Sequence, residues 1–223
     1  MIAGPRPVPF WSPAEVSAAI PRVLHHLAER GILGYPTETV YGFGSAIDRE
    51  SVAKLVTMKR RPLGKPFLVL VAGSDMLARL DLALPTYAAA MAARHWPGPL
   101  TLVLEGGDRR VPPQLRGPEG GVAVRWTSHP EMQRLIRAHG DAITSTSANL
   151  PGVPPAMAAQ EIVSQWPDAV ARALLLVLDG GRLRPSAPST VVDCTGRRPR
   201  VIRPGAIAAS VLRESAPQLI GDA

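Results

Sequence analysis

A polar turn and a short basic cluster are the stretches of this sequence whose residue types point most directly to chemistry. The turn, residues 36–44 (PTETVYGFG), follows a short apolar run and supplies hydroxyls, a carboxylate and two glycines that let backbone approach a ligand closely. The cluster, residues 59–61 with Lys65 soon after, places four cations before another apolar run. Because Arg and Lys donate charge-assisted hydrogen bonds to phosphate oxygens, these groups predict a site for a polyanion.

Two further polar clusters lie at the ends of predicted strands. Residues 145–149 (STSAN) follow a middle strand, Ser189 and Thr190 open a late strand, and Arg203 closes the next one. Ligands of α/β folds bind where strand ends and their loops converge. Each cluster alone is also typical of an ordinary cap or turn, and residues 59–61 alone are more typical of a solvated helix end. Spacing and composition therefore predict a phosphorylated ligand and nothing more specific.

Several other site types are excluded by the sequence. Gly64 and Lys65 are followed by Pro66, where a P-loop needs Ser or Thr to reach Mg²⁺. No dinucleotide-binding glycine fingerprint and no GxSxG nucleophile elbow are present. The five histidines have no metal-ligand spacing, so no protein-held metal is expected.

Length, composition and net charge limit the classes of protein to which this chain can belong. The chain has 223 residues, of which 46% are hydrophobic, enough for a sizeable core, and its formal net charge is +7. The charge favours acidic partners such as nucleotides or RNA, although a solvated basic surface is equally consistent with it. One cysteine, Cys194, excludes an internal disulfide. With no signal peptide and no membrane-length apolar run, we expect a cytoplasmic protein without membrane contact.

Interleaved strand and helix patterns predict an α/β fold with a mixed sheet and helices on its faces. Capping-box patterns place helix starts at Ser12 and Ser128, and Pro21 predicts a kink or two shorter helices in the first of these. Strands are predicted at 32–35, 67–71, 100–104, 122–126, 142–144, 174–178, 189–193 and 201–203, and further helices after residue 48, at 74–80, 85–95 and 157–165, and after residue 205.

Eight motifs occur together in one order and resemble the YrdC family of threonylcarbamoyl-AMP synthases over residues 12–213. They are PTETVYGFG (36–44), KRRP with KP (59–66), WPGPLTLVL (96–104), VAVR with HP (122–130), STSANLPG (145–152), LDGG (178–181), PSTVVD (188–193) and IRPGAI (202–207). The resemblance implies a YrdC-like twisted mixed sheet with a concave basic ligand cleft. It also implies a loosely ordered Pro-rich arm at 1–11, a single catalytic domain at 12–213 and a tail at 214–223.

The same resemblance implies an activity. Members join L-threonine, bicarbonate and ATP, with Mg²⁺ accompanying ATP, into threonylcarbamoyl-AMP and pyrophosphate. A downstream transferase complex then moves the threonylcarbamoyl group to an adenosine beside the anticodon of certain tRNAs. Direct binding of tRNA or other RNA is a further possibility.

Site residues are carried over from the resemblance position by position. The family's KxR signature falls on Lys59 and Arg61, which are the implied catalytic pair. The implied ATP-binding residues are Lys59, Arg61, Lys65, Ser147, Asn149 and Arg203. The implied L-threonine-binding residues are Thr37, Arg125 and Ser189, and Arg125 would pair with the amino-acid carboxylate. Tyr41 is either a pocket residue or a core aromatic.

This sequence departs from the family pattern in two places. Leu70 stands where some members have a histidine near threonine, and residues 115–121 lack a hydroxyl that members often place near the nucleotide.

Two other functions remain open from the sequence. An RNA-binding module without ATP-dependent activity would fit the net charge, although aromatic residues are only 4% of the chain. A carbamoyl-transfer domain like that of hydrogenase-maturation proteins would need neighbouring acylphosphatase-like and zinc-finger-like segments, and one cysteine cannot form a CxxC pair. A basic α/β domain without activity would leave the ordered motifs unexplained.

Overall fold

The computed structural model describes residues 6–61 and 65–221. Within them, ten strands form one sheet in the order β1-β8-β2-β3-β7-β4-β6-β5-β9-β10. The strands are β1 (Val8–Pro9), β2 (Ile32–Tyr35), β3 (Gly42–Gly44), β4 (Leu68–Val71), β5 (Leu100–Leu104), β6 (Val122–Trp126), β7 (Ile143–Ser147), β8 (Leu175–Asp179), β9 (Thr190–Asp193) and β10 (Arg200–Arg203). The sheet contains both parallel and antiparallel pairs, which confirms the predicted mixed α/β fold.

Helices connect the strands and cover the sheet. They are α1 (Pro13–Ala28), α2 (Arg49–Lys59), α3 (Asp75–Arg79), α4 (Thr86–His95), α5 (Pro130–His139), α6 (Ala159–Gln165), α7 (Pro167–Ala171) and α8 (Ala209–Arg213), with a 3₁₀ turn at Pro113–Leu115. The core contains large, fully buried side chains from the central strands, among them Tyr35, Phe43 and Leu70. None of the helices in the described residues is long and apolar enough to cross a membrane.

The strand order brings distant polar segments to the middle of the sheet. In the β3–β7 pair, Gly42 lies opposite Ser147. In the β4–β7 pair, Leu68 lies opposite Ser145, and in the β4–β6 pair Leu70 lies opposite Arg125. The turn after β2, the segment before β4 and the ends of β6 and β7 are therefore neighbours, although they are far apart in sequence.

The sequence predicts either a kink or two shorter helices at Pro21. The prediction of two helices is wrong, because α1 runs unbroken through Pro21. The proline removes one backbone donor, but its ring lies on the exposed face of the helix. The opposite face is buried against the core through Val16, Ala19, Val23 and Leu27. Burial of this apolar stripe offsets the single lost hydrogen bond.

The predicted capping box at Ser128 is also wrong. Helix α5 begins one residue later than expected, with His129 at the N-cap and no side-chain capping bond. The Glu131 carboxylate lies 3.0 Å from His129 Nδ1 instead of reaching back to a cap backbone amide. The first capping box is present, because Ser12 and Glu15 bond reciprocally at the start of α1.

Part of the segment predicted as a loose N-terminal arm is packed. Val8–Pro9 pair with β8, and Phe10 is fully buried and donates its amide to Asp179 O at 2.8 Å. Residues 1–5 of that arm lie outside the described residues. The proposed boundaries of the catalytic domain stay a prediction.

Strand β3 was not predicted, because two of its three residues are glycines, which sequence patterns associate with turns. A Cβ on Gly44 would lie 2.1 Å from Thr144 O and 2.8 Å from the Tyr35 ring. Close backbone approach between β3 and β7 therefore requires glycine at this position.

We expect Gly44→Ala to lower the free energy of unfolding by about 1–3 kcal/mol, because the added methyl group must displace a buried strand. Urea unfolding followed by circular dichroism measures this change. Gly196→Ala is the matched control, since the nearest atom to its new Cβ is 3.8 Å away. Equal midpoints for the two variants would contradict the packing argument.

Candidate active site

A cavity of about 530 Å³ lies where these segments meet. Three arginines line it: Arg61 after α2, Arg125 on β6 and Arg203 at the end of β10. Hydroxyl groups from the turn after β2, from β5, from the end of β7 and from the segment before β9 line the remaining walls. Among the described residues that line the cavity, none carries a carboxylate. The arrangement can hold an anionic ligand through charge-assisted hydrogen bonds.

Arg61 is fixed by its own chain segment. Helix α2 ends at Lys59, and its C-cap Arg60 has the left-handed conformation, which turns the following residue toward the sheet. Arg61 donates to Lys65 O and Pro66 O, both at 2.9 Å, and to Thr146 Oγ1 at 3.3 Å. Burial lowers the pKa of Arg61 from its usual value, but an arginine remains charged. The fixed guanidinium is ready to meet an anion without a large loss of side-chain entropy.

Lys59, the first residue of the KxR signature, contacts two other implied ATP-binding residues, Ser147 and Asn149. Its ammonium donates to Ser147 O, and to both Asn149 O and Asn149 Oδ1 at 2.9 Å. Burial, together with the charge of Arg61, lowers the pKa of Lys59 to about 8. Lys59 is not among the residues that line the cavity. In this structure it holds the end of β7 and the loop that follows, and its contact with ATP stays a prediction.

Ser147 and Asn149 are tied to each other as well as to that lysine. Ser147 Oγ donates to Asn149 Oδ1 at 2.6 Å, and Asn149 Nδ2 donates to Val153 O at 2.6 Å. Ser147 lines the cavity, whereas Asn149 does not. The asparagine therefore shapes the loop at the end of β7, and nucleotide contacts from both residues stay predictions.

Ser189 and Arg203 form a second fixed group. Arg203 Nη2 donates to Ser189 O at 2.8 Å and to Ser189 Oγ at 3.0 Å, and Thr101 Oγ1 lies 2.8 Å from Ser189 Oγ. Burial first, and then the nearby Arg125 charge, lowers the pKa of Arg203. A Cβ on Gly205 would lie 2.4 Å from Pro188 O, so glycine permits the turn that brings Arg203 against Ser189.

Thr37 lines the cavity, but its hydroxyl serves its own turn. Thr37 Oγ1 accepts from the amides of Thr39 and Val40 at 3.1 and 3.2 Å and donates to Val40 O at 2.6 Å. Such a turn, closed by a side-chain hydroxyl, fixes the backbone that follows β2. A bond from Thr37 to L-threonine stays a prediction.

Arg125 is buried and differs from the other two arginines of the cavity in its surroundings. Its Nε lies 3.5 Å from Glu38 Oε1, and this ion pair is its single described polar contact. Arg125 therefore retains donors for a ligand, as expected of a residue that pairs with a carboxylate.

The structure separates several other candidates from the cavity. Lys65 is exposed and does not line it. Tyr41 is a core aromatic whose hydroxyl donates to Gly181 O at 2.7 Å. Leu70 is fully buried and is not a lining residue, whereas Leu68 on the same strand is. Residues 115–121 do not line the cavity either.

Sequence reasoning missed two hydroxyl residues of the cavity. Thr101 interrupts the apolar strand β5, and this interruption was a usable signal. Ser186 donates to Thr39 O at 3.1 Å from a segment without regular structure, where no sequence pattern marks it.

Cys194 is buried at the end of β9, as predicted for a core thiol. Burial, reinforced by the nearby Asp193 charge, raises its pKa to about 12. We expect iodoacetamide to leave the native protein unmodified at pH 8, because the thiol is neutral and covered. Mass spectrometry before and after unfolding in urea measures this, and rapid alkylation of the native protein would contradict it.

Comparisons with known proteins agree with the motif resemblance. A threonylcarbamoyl-AMP synthase of Marinobacter nauticus is 34% identical over 164 residues, or 73% of this chain and 84% of that protein. One of Pyrococcus abyssi is 34% identical over 182 residues, or 81% of this chain and 52% of that protein. The crystal structure of P. abyssi Sua5 complexed with L-threonine has a TM-score of 0.84 at 28% identity, covering 97% of this chain and 63% of that one.

The chain thus spans about half the length of the P. abyssi synthase and most of the length of the M. nauticus one. A family model named Sua5/YciO/YrdC and described as telomere recombination matches residues 25–205. The resemblance inferred from the sequence is confirmed, and the chain belongs to the Sua5/YciO/YrdC family.

Proposed function

We propose that this protein is a threonylcarbamoyl-AMP synthase, which joins L-threonine, bicarbonate and ATP and releases pyrophosphate. The observation that most supports this proposal is the set of three guanidinium groups, those of Arg61, Arg125 and Arg203, around one cavity. Relatives named threonylcarbamoyl-AMP synthase, and a structural relative complexed with L-threonine, support the same reaction.

The reaction needs positive charge more than it needs a nucleophilic side chain. The threonine amine and bicarbonate give N-carboxy-threonine and water, and the new carboxylate then attacks the α-phosphorus of ATP with loss of pyrophosphate. Two like charges 4 Å apart repel by about 4 kcal/mol at the effective dielectric of a protein surface. Arginines held in place around the cavity offset this repulsion and stabilise the charge that develops in the transition state.

We assign the cavity residues to the two substrates by position. Arg125, with Thr37 and Ser189 nearby, takes the threonine, and its free donors meet the amino-acid carboxylate. Arg61 and Arg203 take the ATP phosphates, and Ser147 contacts the nucleotide. Lys59, Lys65 and Asn149 complete the predicted ATP site, and the bonds between Lys59 and Asn149 hold the loop directly after Ser147. The lining arginines support the proposal that this cavity is the basic ligand cleft expected for the family.

Mg²⁺ enters this proposal as part of the substrate. Mg²⁺ binds hard oxygen ligands and keeps several waters, and the lining residues described for the cavity include no carboxylate. The ATP phosphates therefore hold the ion, and Arg61 and Arg203 share the neutralisation of the phosphates with it.

The wider role follows from the product. Threonylcarbamoyl-AMP is an activated acyl donor, so a downstream transferase complex must consume it, and tRNA is the final acceptor in this proposal. A cytoplasmic location fits such a role. Direct binding of RNA to this chain is an alternative function that the net charge of +7 favours.

Pyrophosphate release measured with ATP and Mg²⁺ tests the proposal. L-threonine and bicarbonate are each omitted in turn. Release that requires both supports the synthase. Release that does not require threonine would mean that the substrate is a different one, and no release with RNA bound would favour the RNA-binding alternative.

A further inference from the structure

Glu38 lies in the turn after β2, and the proposed function so far assigns it no part. Its side chain is 17% exposed, so the carboxylate is largely out of water. Glu38 Oε1 lies 3.5 Å from Arg125 Nε, and Glu38 Oε2 accepts a hydrogen bond of 2.6 Å from Thr127 Oγ1. A carboxylate with so little water around it needs partners of this kind, so its position is fixed by the groups that it bonds.

The bond from Thr127 has a fixed direction. Thr127 Oγ1 accepts from the amide of His129 at 3.2 Å, and the hydroxyl proton is therefore free to be donated to Glu38. Thr127 itself is fully buried, and its carbonyl accepts from Gln133 Nε2 at 2.8 Å. Helix α5 thus holds Thr127, and Thr127 holds one oxygen of the carboxylate.

The other oxygen and Arg125 Nε depend on each other. Both atoms are buried, and neither has a hydrogen-bond partner in the described residues. At 3.5 Å they form an ion pair without a close hydrogen bond. In this pair each group neutralises the buried charge of the other. Removing the carboxylate would leave the Arg125 charge buried with no opposite charge beside it.

The carboxylate therefore sits on one edge of a guanidinium whose remaining donors have no partner among the described residues. Guanidinium is planar and binds carboxylates along its edges. With the Nε edge held by Glu38, the terminal nitrogens are the edge left for a ligand in the cavity that Arg125 lines.

We propose that Glu38 is a positioning residue for threonine binding: it orients the Arg125 guanidinium so that its terminal nitrogens meet the substrate carboxylate. Thr127 fixes this orientation, because helix α5 holds Thr127 in place and Thr127 donates a hydrogen bond to the Glu38 carboxylate. This inference rests on the proposed function for the identity of the ligand, and it adds the residue that sets the geometry of Arg125.

Glu38→Gln tests the proposal, because glutamine keeps the size and an acceptor for Thr127 but loses the charge. We expect KM for L-threonine in pyrophosphate release to rise about 10-fold or more, since a buried charge partner is lost, with KM for ATP changed less than about 2-fold. A merely structural role would change both constants or neither. Glu50→Gln is the control, because its carboxylate is exposed and paired with Arg30 on the surface.

Calorimetric titration of L-threonine into the Glu38→Gln and Glu50→Gln variants gives a second measurement that does not depend on turnover. Thr127→Val, which removes the anchor and leaves the Glu38 charge, should weaken threonine binding in the same direction, by about 3-fold or more. Unchanged threonine affinity in folded Glu38→Gln, or equal loss of threonine and ATP affinity, overturns the proposal.

The two proposals fail in different ways. If the unsubstituted protein binds L-threonine but releases no pyrophosphate, the proposed reaction is contradicted and the calorimetric comparison still decides the part of Glu38. If the unsubstituted protein does not bind L-threonine, both proposals are overturned.

Discussion

We expect Arg61→Ala to lower kcat/KM for pyrophosphate release by about 100-fold or more, which corresponds to loss of one fixed donor to a charged transition state. Arg61 lines the cavity, and bonds to Lys65 O, Pro66 O and Thr146 Oγ1 hold its guanidinium. Because the guanidinium is already held in place, it does not have to reorganise to meet the charge that develops in the transition state. Its removal should therefore lower kcat as well as raise KM for ATP. Initial rates over a range of ATP concentrations separate the two constants.

Arg60→Asn is the matched control for this experiment. It removes the same charge one residue away, at an exposed position in the left-handed conformation that asparagine tolerates. The control should retain activity within about 3-fold of the unsubstituted protein, as expected for a surface charge. Equal losses in the two variants would show that general positive charge, and not the placed guanidinium, supports the reaction.

The second large effect concerns Arg125→Ala. We expect this variant to lose about 100-fold or more in kcat/KM for L-threonine while its KM for ATP stays within about 3-fold, because the charge that meets the amino-acid carboxylate is gone. Initial rates with threonine varied at saturating ATP, and the reverse, give both constants. Circular dichroism must accompany them, because the Glu38 carboxylate loses its buried partner in this variant.

Arg172→Ala serves as the control for Arg125, since Arg172 is exposed at the end of α7 and does not line the cavity. A variant at Arg125 that raises KM for ATP as much as KM for threonine would contradict the assignment of this residue to the threonine side. Full retention of activity would contradict the assignment of the cavity.

Much of the fold could be predicted because its signals are local. Apolar runs bounded by glycine or proline mark strands such as β4 and β6, and a serine with a glutamate three residues on marks the start of α1. Strand β3 escaped prediction because its glycines serve contact with β7, a neighbour about 100 residues away in sequence. The unbroken α1 escaped because packing outweighed the local cost of Pro21.

The residues of the candidate site could be predicted from the sequence, but the contacts between their side chains could not. The motifs assigned Arg61 and Arg203 to ATP and Arg125 and Ser189 to L-threonine, and these four residues line one cavity. The contact of Lys59 with ATP stays a prediction, and in this structure its ammonium donates to carbonyl groups, because a buried cation needs acceptors. Its partners lie 88 and 90 residues away, so no pattern within the motif reveals them.

The contact between Glu38 and Thr127 was hidden for the same reason. The two residues are 89 apart in sequence, and each has an ordinary local interpretation, one in a turn and the other before a helix. A carboxylate inside a turn predicted to bind an anion was the available signal, since a like charge beside such a ligand needs a cation to compensate it.

Mass spectrometry of the product made with ¹³C-labelled bicarbonate tests the central claim most directly. The protein is incubated with ATP, Mg²⁺, L-threonine and the labelled bicarbonate, and the product is analysed at once. We predict one species that contains AMP, threonine and a single labelled carbon, and whose rate of formation falls by about 100-fold or more when Arg61 is replaced by alanine. AMP and pyrophosphate without a labelled threonine adduct, or no consumption of ATP at all, would contradict the account.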